Sequence, residues 1–466
     1  MFDKVLVANR GEIAVRVFRT LSRMGIKTVA VYSDVDAGAL HVSVADEAVN
    51  IGPAPANQSY LRGDVIIEAA KVAGAGAIHP GYGFLSESAD FARAVEKAGL
   101  VFIGPSADAI DKMGSKIAAR QVMSDAGVPI VPGTTEEVGT LERAREVAVE
   151  IGYPVAVKAA GGGGGKGFRV ALRPEDLAQA FDGAKGEGER FFGNSTVYLE
   201  RYLENPRHIE IQVLADLHGN VVHLFERDCS VQRRHQKLVE ESPAPAVGPE
   251  MRQRIGDIAV QAAKAVGYSS AGTVEGLLAG DEYFFLEMNT RIQVEHGVTE
   301  MVTGTDLIEE QVRIAAGEPL RLSQDGVKLT GHAIECRINA EDASRGFLPN
   351  PGSLTTYDEP TGRHIRVDSG VTEGSVVERY YDPMIAKVIV WGEDRAEATE
   401  RMLAALDDFA IEGVKTLLPF HRALLETAQW RDGETCSDLV ADREWLETLQ
   451  STQQSGDAPH VQHSIH

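Results

Sequence analysis

The sequence predicts a multidomain α/β protein (α+β overall) in which an N-terminal parallel sheet precedes a mainly antiparallel C-terminal region. Three observations support this fold class. A strand–helix–strand pattern opens the chain, a glycine run separates two apolar strands at Gly161–Gly167, and strands alternate with hairpin turns after His208. With 466 residues the chain is too long for one ordinary core, so about two to four domains are expected.

The N-terminal region follows a βαβ pattern. Lys4–Ala8 and Thr28–Tyr32 are predicted as strands, and Gly11–Arg23 as the amphipathic helix between them. Right-handed crossovers make such strands parallel, so a Rossmann-like domain is expected over residues 1–114. The turn after the first strand lacks G-x-G-x-x-G, the dinucleotide fingerprint. His79–Glu87 is a Pro/Gly loop at a strand end, where ligands bind in this fold class; an ordinary turn is the alternative.

Composition excludes some classes of partner. The net charge of −23 argues against nucleic acid or an anionic membrane as the main partner. No apolar run reaches membrane-spanning length, and the N-terminus does not resemble a signal peptide. Cys229, Cys336 and Cys436 are scattered, which predicts reduced thiols in a cytoplasmic protein. A catalytic role for Cys336 is the alternative to a small buried residue.

The glycine run predicts a phosphate-binding hairpin. Strands are expected at Val155–Ala160 and Phe168–Leu172 on either side of it. A Rossmann loop would lead into a helix, and a Walker A loop needs Ser or Thr after Lys166, so both motifs are excluded. Bare backbone N–H groups flanked by Lys158 and Lys166 suit a triphosphate, and a glycine tip suits a mobile lid. A flexible linker, the alternative, would be Ser-rich.

Polar residues alternate along a predicted strand that begins at Glu287. Alternate side chains of a strand share a face, so Glu287, Asn289, Arg291, Gln293 and Glu295 are expected in one row. A solvated edge strand also alternates, but it rarely combines two carboxylates, an amide and a guanidinium. Arg291 and Gln293 suit a small anion, and Glu295 suits a general base.

A second hairpin predicts a metal site. The segments around Glu275 and Glu287 flank a Gly-Asp turn, which brings these two carboxylates and the Asn289 amide together. Oxygen donors favour Mg²⁺ over Zn²⁺, which prefers His and Cys. The alternative is a pair of repelling acids on an exposed hairpin.

Two cationic segments complete the candidate site. Glu226–Lys237 is a dense polar and basic stretch, for which a solvated loop is the alternative. Arg337 lies on a predicted strand. The structural alternative for this residue is a salt bridge to Glu335 or Glu341.

Together these motifs resemble biotin carboxylases, ATP-dependent components of acetyl-CoA and related acyl-CoA carboxylases, and the two hairpins resemble the ATP-grasp fold. The motifs run in family order across about residues 1–445: Ala8–Ile13, His79–Glu87, Gly161–Gly167, Glu226–Ser230, Arg233–Lys237, Glu287–His296 and Cys336–Asp342. The resemblance implies that bicarbonate attacks ATP to give carboxyphosphate, which then carboxylates biotin.

The resemblance also implies roles for individual residues. Nucleotide binding is implied for Lys116, Lys158, Gly163, Gly164, Gly165, Lys166, Glu200, Arg201, Leu203, His208, Gln232, His235, Leu277, Glu275 and Glu287. Mg²⁺ or Mn²⁺, with two ions expected, is implied at Glu275, Glu287 and Asn289. Bicarbonate is implied at Lys237, Arg291, Gln293 and Val294, with Glu295 as base, Arg337 stabilising the biotin enolate and Tyr82 near biotin.

The domain organisation and partners follow from the same resemblance. Expected are an N-terminal domain over 1–114, an ATP-grasp domain over 115–330 with its lid over 131–202, a C-terminal domain over 331–446 and a disordered tail over 447–466. No Ala-Met-Lys-Met motif occurs, so biotin is expected on a separate biotin carboxyl carrier protein, with carboxyltransferase subunits as further partners; a truncated multifunctional carboxylase is the alternative. A homodimer through Arg16, Arg19 and Arg366 is expected, and a role in fatty acid synthesis.

Three positions depart from the family pattern. Gly297 replaces the usual Pro, Gly276 an aromatic residue and Phe168 a Met. These departures keep open a catalytically weakened assembly or regulatory subunit. A second alternative is another ATP-grasp ligase, acting on an amino acid or purine precursor, although the basic stretch and the Arg337 motif argue against it.

Overall fold

The chain begins with the predicted parallel sheet in the computed structural model, which describes residues 1–161 and 167–454, with side chains to residue 449. Five parallel strands lie in the order β3-β2-β1-β4-β5. The elements are β1 Lys4–Val7, α1 Gly11–Arg23, β2 Lys27–Ser33, α2 Leu40–Val44, β3 Glu47–Gly52, α3 Gly63–Val72, β4 Ala77–His79, α4 Ala89–Lys97, β5 Val101–Phe102 and α5 Ala107–Gly114. The βαβ prediction is confirmed.

The ends of β1 and β4 position the first loops of the cleft. Both strands are apolar because helices cover both faces of the sheet. Their carboxyl ends lie side by side, so Asn9 reaches across and donates its amide to the carbonyl oxygens of Pro80 and Tyr82. Gly81 permits this approach, since a β-carbon there would lie 2.8 Å from the Asn9 amide nitrogen.

The predicted glycine hairpin is also present. The elements of this region are α6 Lys116–Asp125, α7 Leu141–Ile151, β6 Val155–Ala159, β7 Phe168–Ala171, α8 Leu177–Phe192 and β8 Val197–Arg201. The three strands form an antiparallel sheet in the order β7-β6-β8 with its own small core against α7 and α8. Lys158 pairs with Phe168 across the hairpin. The predicted nucleotide-binding residues Gly163, Gly164, Gly165 and Lys166 lie outside the described residues.

One eight-stranded antiparallel sheet carries the rest of the chain, in the order β13-β12-β9-β10-β11-β14-β21-β19. Its first elements are β9 Arg207–Ala215, β10 Val221–Arg233, β11 Gln236–Ser242, α9 Pro249–Ala265, β12 Ser270–Ala279, β13 Glu282–Asn289, α10 His296–Thr303, α11 Leu307–Ala315 and β14 His332–Asn339. Because β11 pairs directly with β14, the sheet is continuous across the predicted domain boundary at 330–331.

The C-terminal region completes this sheet and covers it with helices. Its elements are β15 Glu341–Asp342, β16 Leu348–Pro349, β17 Gly352–Ser353, β18 Thr356–Asp358, β19 Ile365–Ser369, β20 Val376–Val377, β21 Met384–Gly392, α12 Arg395–Asp408, β22 Ala410–Glu412, α13 Leu418–Leu425, α14 Ala428–Arg431, α15 Ser437–Ala441 and α16 Arg443–Gln454. The tail prediction begins too early, because α16 occupies residues 447–454, and Leu446 and Leu449 pack in the core. Residues 455–466 lie outside the described residues.

The polar row from Glu287 to Glu295 is not one strand. Strand β13 ends at Asn289, and residues 290–295 form a turn before α10. Strand β13 is an edge strand, and its pairing with β12 ends where Asn289 lies opposite Thr273. The next backbone N–H, that of Thr290, donates instead to the Glu87 carboxylate at 3.1 Å. The chain therefore leaves the sheet, and the row prediction is wrong beyond Asn289.

Two smaller predictions concern the cysteines and the membrane. Cys229, Cys336 and Cys436 are free thiols, as predicted, and all three are buried. Burial raises the pKa of the Cys336 thiol well above its ordinary value, which argues against a catalytic thiolate. Among the described helices, none combines the length and apolarity that a membrane span requires.

A buried ion pair joins α9 to the central sheet and supports a first prediction. The Glu226 carboxylate on β10 is fully buried, and the Arg252 guanidinium donates to it through Nε at 2.9 Å and Nη2 at 2.8 Å. Arg252→Ala should lower the free energy of unfolding by about 3–5 kcal/mol, because it leaves a buried carboxylate unpaired. Equilibrium urea unfolding measures this.

Arg254 offers a matched control on the same helix. Its side chain is exposed and donates to the Asp281 carbonyl oxygen, so Arg254→Ala should change stability by only about 0.5 kcal/mol. Equal losses for the two variants would contradict the importance of the buried pair.

Candidate active site

A cleft of about 970 Å³ lies between the N-terminal region, the glycine hairpin and the central sheet. Every predicted site residue within the described ranges lines it. These residues are Tyr82, Lys116, Lys158, Glu200, Arg201, Leu203, His208, Gln232, His235, Lys237, Glu275, Leu277, Glu287, Asn289, Arg291, Gln293, Val294, Glu295 and Arg337. The fold therefore brings together side chains that are separated by more than 250 positions in the sequence.

The centre of the cleft is an ammonium surrounded by carboxylates. Lys237 on β11 donates to Glu210 at 2.5 Å, to Glu295 at 2.6 Å and to Glu275 at 2.9 Å. Burial alone would lower the pKa of Lys237, but the three carboxylates raise it well above its ordinary value. The solvated-loop alternative is wrong for most of Glu226–Lys237, because β10 and β11 are interior strands of the sheet, but it holds for the exposed turn at Arg234 and His235 that joins them.

Arg337 and Lys237 together hold Glu295. The Arg337 guanidinium donates to Glu295 at 2.9 Å and to Glu240 at 2.6 Å. Its partners are therefore different from the predicted structural alternatives, Glu335 and Glu341. Burial would raise the pKa of Glu295, but Lys237 and Arg337 outweigh burial and hold it far below its ordinary value. Burial raises the pKa of Glu240 to about 7 even with Arg337 beside it.

Glu275 forms the junction with the predicted metal site. It lies directly opposite Glu287 across the β12–β13 hairpin, as predicted. Gln293 and Asn289 each donate a side-chain amide to Glu275 Oε1 at 2.6 Å. His208 Nε2 lies 2.8 Å from Glu275 Oε2, which raises the pKa of His208 although burial alone would lower it.

The donor chemistry here fits a hard cation. Glu287 is partly exposed to the cleft and pairs with Lys116 at 3.3 Å. Glu275, Glu287 and Asn289 offer two carboxylates and one amide oxygen on neighbouring strands. Oxygen donors of this kind suit Mg²⁺ or Mn²⁺. The repelling-acid alternative is wrong, since cations and amides compensate both carboxylates.

The end of the cleft beneath the glycine hairpin combines an apolar wall with a polar edge. Leu203 packs with Val131 and Phe284, and Leu277 packs against this cluster. At the edge, Glu200 accepts hydrogen bonds from Lys158 and from Arg120, the latter at 3.0 Å. An apolar wall beside a polar edge suits a purine base, and the neighbouring lysines suit its phosphates.

Tyr82 lies at the opposite end, near Arg337. Its hydroxyl donates to Glu12, a buried carboxylate on α1. Arg291 lies between this end and the metal residues, and donates to Glu87 at 3.0 Å and to Asn289 Oδ1 at 3.1 Å.

Five residues that position the site were not predicted. They are Glu12, Glu87, Glu210, Arg227 and Glu240. Arg227 is fully buried and donates to five side chains: Glu210, Gln212, Thr273, Gln293 and Thr299. The alternation of polar residues in His208–Val213 was the available signal for Glu210. No local pattern identifies the partners of Arg227, which lie on three different elements and the 290–295 turn.

At Gly276 and Gly297, two of the positions that depart from the family pattern, neighbouring side chains occupy the space that a larger residue would fill. A β-carbon on Gly276 would lie 2.2 Å from Cζ of Tyr283, whose buried ring covers this backbone. A β-carbon on Gly297 would lie 2.4 Å from Cδ1 of Ile389 and 3.0 Å from Oε2 of Glu335. The third departure, Phe168, places its ring 5.5 Å from the Lys158 ammonium, within cation–π range.

Comparison with known proteins agrees with this geometry. Three family models match along the chain: "Biotin carboxylase, N-terminal domain" over residues 1–110, "Carbamoyl-phosphate synthase L chain, ATP binding domain" over 115–323 and "Biotin carboxylase C-terminal domain" over 335–442. The chain is 56% identical over 436 residues to Biotin carboxylase 1 of Bacillus subtilis, covering 93% of this chain and 97% of that protein.

The chain belongs to the biotin carboxylase family. It is also 50% identical to a pyruvate carboxylase subunit from Methanothermobacter thermautotrophicus, over 97% of this chain and 95% of that one. A biotin carboxylase structure from Campylobacter jejuni, a βγ-ATP complex, superposes with a TM-score of 0.91 at 48% identity, covering 94% of this chain and 99% of that one.

The biotin carboxylase domain dimer of Hydrogenobacter thermophilus 2-oxoglutarate carboxylase, in complex with MgADP, ADP and bicarbonate, superposes with a TM-score of 0.90. It is 47% identical, with 95% of this chain and 99% of that one covered. The ATP-grasp fold and the assignment to an enzyme of the ligase class are thereby confirmed. The roles of individual residues and the domain boundaries stay predictions.

The contact between Gly276 and Tyr283 yields a second prediction. Gly276→Phe, which restores the family's aromatic residue, should destabilise the protein by about 1–3 kcal/mol, because Tyr283 already fills that space. Gly276→Phe combined with Tyr283→Ala should recover most of this loss. Thermal unfolding of both variants, with Tyr283→Ala as control, tests this; a fully stable single Gly276→Phe variant would contradict it.

Proposed function

We propose that this protein carboxylates biotin with ATP and bicarbonate, through carboxyphosphate. The observation that supports this most directly is the buried Glu295 carboxylate, held between the Lys237 ammonium and the Arg337 guanidinium beside Arg291 and Gln293. A general base is thus surrounded by groups that bind a small anion. The first half of the proposed reaction needs both functions in one place.

In the first step a bicarbonate oxygen attacks the γ-phosphorus of ATP, and the bond to the β–γ bridging oxygen breaks, releasing ADP. Lys237 and Arg291 neutralise the charge that develops on the transferred phosphoryl group and on bicarbonate. Gln293 orients the anion, and the Val294 backbone closes the same side of the pocket. Lys116, Lys158, His208, Gln232 and His235 bind the nucleotide, with Glu200, Arg201, Leu203 and Leu277 around the base.

Glu295 takes the bicarbonate proton. The two cations that keep Glu295 ionised also lower its basicity while no anion is bound. An anion that takes hydrogen bonds from Lys237 and Arg337 weakens their hold on Glu295, so the carboxylate becomes a stronger base as the substrate binds. Proton transfer is therefore favoured only with bicarbonate in place.

In the second step carboxyphosphate releases its carboxyl group to N1′ of biotin, and phosphate accepts the proton of that nitrogen. Arg337 stabilises the negative charge on the biotin ureido oxygen, and Tyr82 contacts biotin from the N-terminal region. Glu275, Glu287 and Asn289 would hold Mg²⁺ or Mn²⁺, with two ions expected, and the metal would neutralise charge on the nucleotide phosphates.

The partners follow from this half-reaction. We expect biotin on a separate carrier protein, carboxyltransferase subunits that use the carboxylated biotin, and a homodimer through Arg16, Arg19 and Arg366. Arg16 is buried and donates to Glu300 within the chain, so of these three residues Arg19 and Arg366 are the ones with exposed surface. The relatives include carboxylases of pyruvate, propionyl-CoA and methylcrotonoyl-CoA, so acetyl-CoA carboxylation for fatty acid synthesis is one of several pathways this half-reaction could serve. A cytoplasmic location agrees with the reduced thiols.

A weakened, non-catalytic subunit is the less favoured alternative. It was motivated by Gly276 and Gly297, yet Tyr283, Ile389 and Glu335 fill the space beside them, and every polar role in the cleft is occupied.

Substrate omission tests the proposed function. ADP release should require bicarbonate and should rise further with free biotin. Turnover that is indifferent to both substrates would contradict biotin carboxylation and favour another ATP-grasp ligase. Tight Mg-ATP binding without any turnover would favour the weakened subunit.

Glu295→Gln tests the base. The amide keeps the shape but cannot accept the proton, so kcat should fall about 10²-fold or more, while Mg-ATP affinity stays within about twofold because Glu295 does not contact the nucleotide residues. Rates of ADP release measure kcat, and nucleotide titrations measure the affinity for Mg-ATP. A kcat within threefold of the wild type, roughly 0.65 kcal/mol, would remove Glu295 from this role.

The pH dependence has a defined sign. The pKa of Glu295 lies below its ordinary value, so the carboxylate remains charged as pH falls through the ordinary glutamate range. We expect no loss of kcat/KM for bicarbonate from Glu295 protonation between about pH 8 and pH 5.5, because this ratio reports the enzyme without bound substrate. A pH–rate profile of the wild type with an acid limb that Glu295→Gln abolishes would contradict this.

A further inference from the structure

Lys387 is a fully buried lysine to which the proposed reaction assigns no part. It lies on β21, directly opposite Arg337 on β14 and Asp368 on β19. Side chains opposite each other in a sheet share a face, so Lys387 lies in the same row as Arg337, next to a residue that lines the cleft. A buried lysine is costly unless its charge is compensated and its hydrogen bonds are made.

The Lys387 ammonium has one hydrogen-bond acceptor and two nearby carboxylates. It donates to the backbone carbonyl oxygen of Val294 at 2.5 Å. It also lies 3.7 Å from Oε2 of Glu12 and 3.8 Å from Oδ2 of Asp368. Burial would lower the pKa of Lys387, but Glu12, Glu335 and Asp368 raise it, so the side chain remains an ammonium.

The carbonyl that Lys387 contacts belongs to the turn that carries the anion-binding residues. This turn, residues 290–295, has no strand partner, and side chains hold its carbonyl oxygens instead. Arg291 donates to Ile292 at 3.2 Å and His296 Nδ1 to Gln293 at 2.7 Å. These two donors belong to the segment itself or to the residue after it. Lys387 fixes Val294 from a different element of the fold.

The second contact of Lys387 leads to the other end of the cleft. Glu12 faces Lys387 with Oε2 and accepts the Tyr82 hydroxyl with Oε1. Glu12 Oε2 has no hydrogen bond of its own among the described residues, so Lys387 is the nearest compensation for its charge. One ammonium therefore lies between the turn at Val294 and the carboxylate that holds Tyr82.

We propose that Lys387 is a positioning residue, which fixes the Val294 turn for bicarbonate and, through Glu12, the Tyr82 hydroxyl for biotin. The inference rests on the proposed function and extends it to a side chain that does not line the cleft. The competing explanation is that Lys387 only balances the buried charge of Glu12 and Asp368. The two explanations make different predictions for a Lys387 variant from which the charge of Glu12 is also removed. Charge balance alone predicts that the KM for bicarbonate recovers, whereas a positioning role predicts that it stays raised.

The test compares Lys387→Met with the double variant Lys387→Met/Glu12→Gln. Methionine keeps the length of the side chain but neither donates nor carries charge. Glutamine keeps an acceptor for Tyr82 and removes the charge that Lys387 compensates. Steady-state ADP release with Mg-ATP, bicarbonate and free biotin gives a KM for each substrate, and thermal unfolding gives the stability of each variant.

We expect Lys387→Met to raise the KM for bicarbonate about tenfold or more, the effect of losing one charge-assisted hydrogen bond on a binding turn. The KM for ATP should stay within about twofold, because the nucleotide residues lie on other elements. The double variant should recover part of the thermal stability lost in Lys387→Met, since Asp368 stays charged and the hydrogen bond to Val294 stays absent, but it should keep the raised KM for bicarbonate. Lys71→Met, an exposed lysine on α3, is the matched control and should behave like the wild type.

Two results would overturn the inference. Recovery of the bicarbonate KM together with stability in the double variant would leave Lys387 as a charge-balancing residue only. A parallel rise in the KM values for ATP and bicarbonate would indicate general loosening of the cleft. A wild-type protein without bicarbonate-dependent turnover would instead refute the proposed function, so the two failures are distinguishable. If Lys387→Met does not fold, the double variant alone decides.

Discussion

Compensation of buried charge determines how this active site is built. Lys237 is a largely buried ammonium, and it is stable there because Glu210, Glu275 and Glu295 accept its three hydrogen bonds. Each carboxylate then has a second partner: Arg227 for Glu210, His208 for Glu275 and Arg337 for Glu295. Removing any member leaves an unpaired buried charge, so the groups hold one another in place before substrate arrives.

This arrangement also reconciles an acidic protein with anionic substrates. The chain carries a net charge of −23, which opposes the approach of bicarbonate and ATP over long distances. Inside the cleft, Lys116, Lys158, Lys237, Arg291 and Arg337 are each held by a carboxylate, so their charge is balanced before substrate binds. When an anion binds, a cation transfers a hydrogen bond from its carboxylate partner to the anion. This exchange costs less free energy than removing water from an isolated, hydrated cation.

Local sequence patterns predicted the strands and hairpins, whereas contacts between residues far apart in the sequence caused the differences between prediction and structure. The β12–β13 hairpin and the glycine hairpin follow from apolar alternation and turn residues, and both are present as expected. The prediction of a single polar row is wrong beyond Asn289, because β13 is an edge strand whose pairing with β12 ends there. The next backbone N–H, that of Thr290, donates to Glu87, which lies 203 positions earlier in the sequence. The partners of Arg337 were missed for the same reason: Glu240 and Glu295 precede it by 97 and 42 positions, and only the sheet brings them together.

The family departures illustrate why a substitution should be judged with its neighbours. By sequence alone, Gly297 frees the backbone beside the proposed base and Gly276 deletes a side chain beside a metal ligand. In the folded chain, Tyr283 covers Gly276 and Ile389 lies against Gly297, so neither glycine borders a void. The turn after Asn289 is held at Gln293 by His296 and at Val294 by Lys387. Hydrogen bonds to the carbonyl oxygens that precede residue 297 therefore hold this turn, and the geometry of Glu295 depends on its whole surroundings rather than on residue 297.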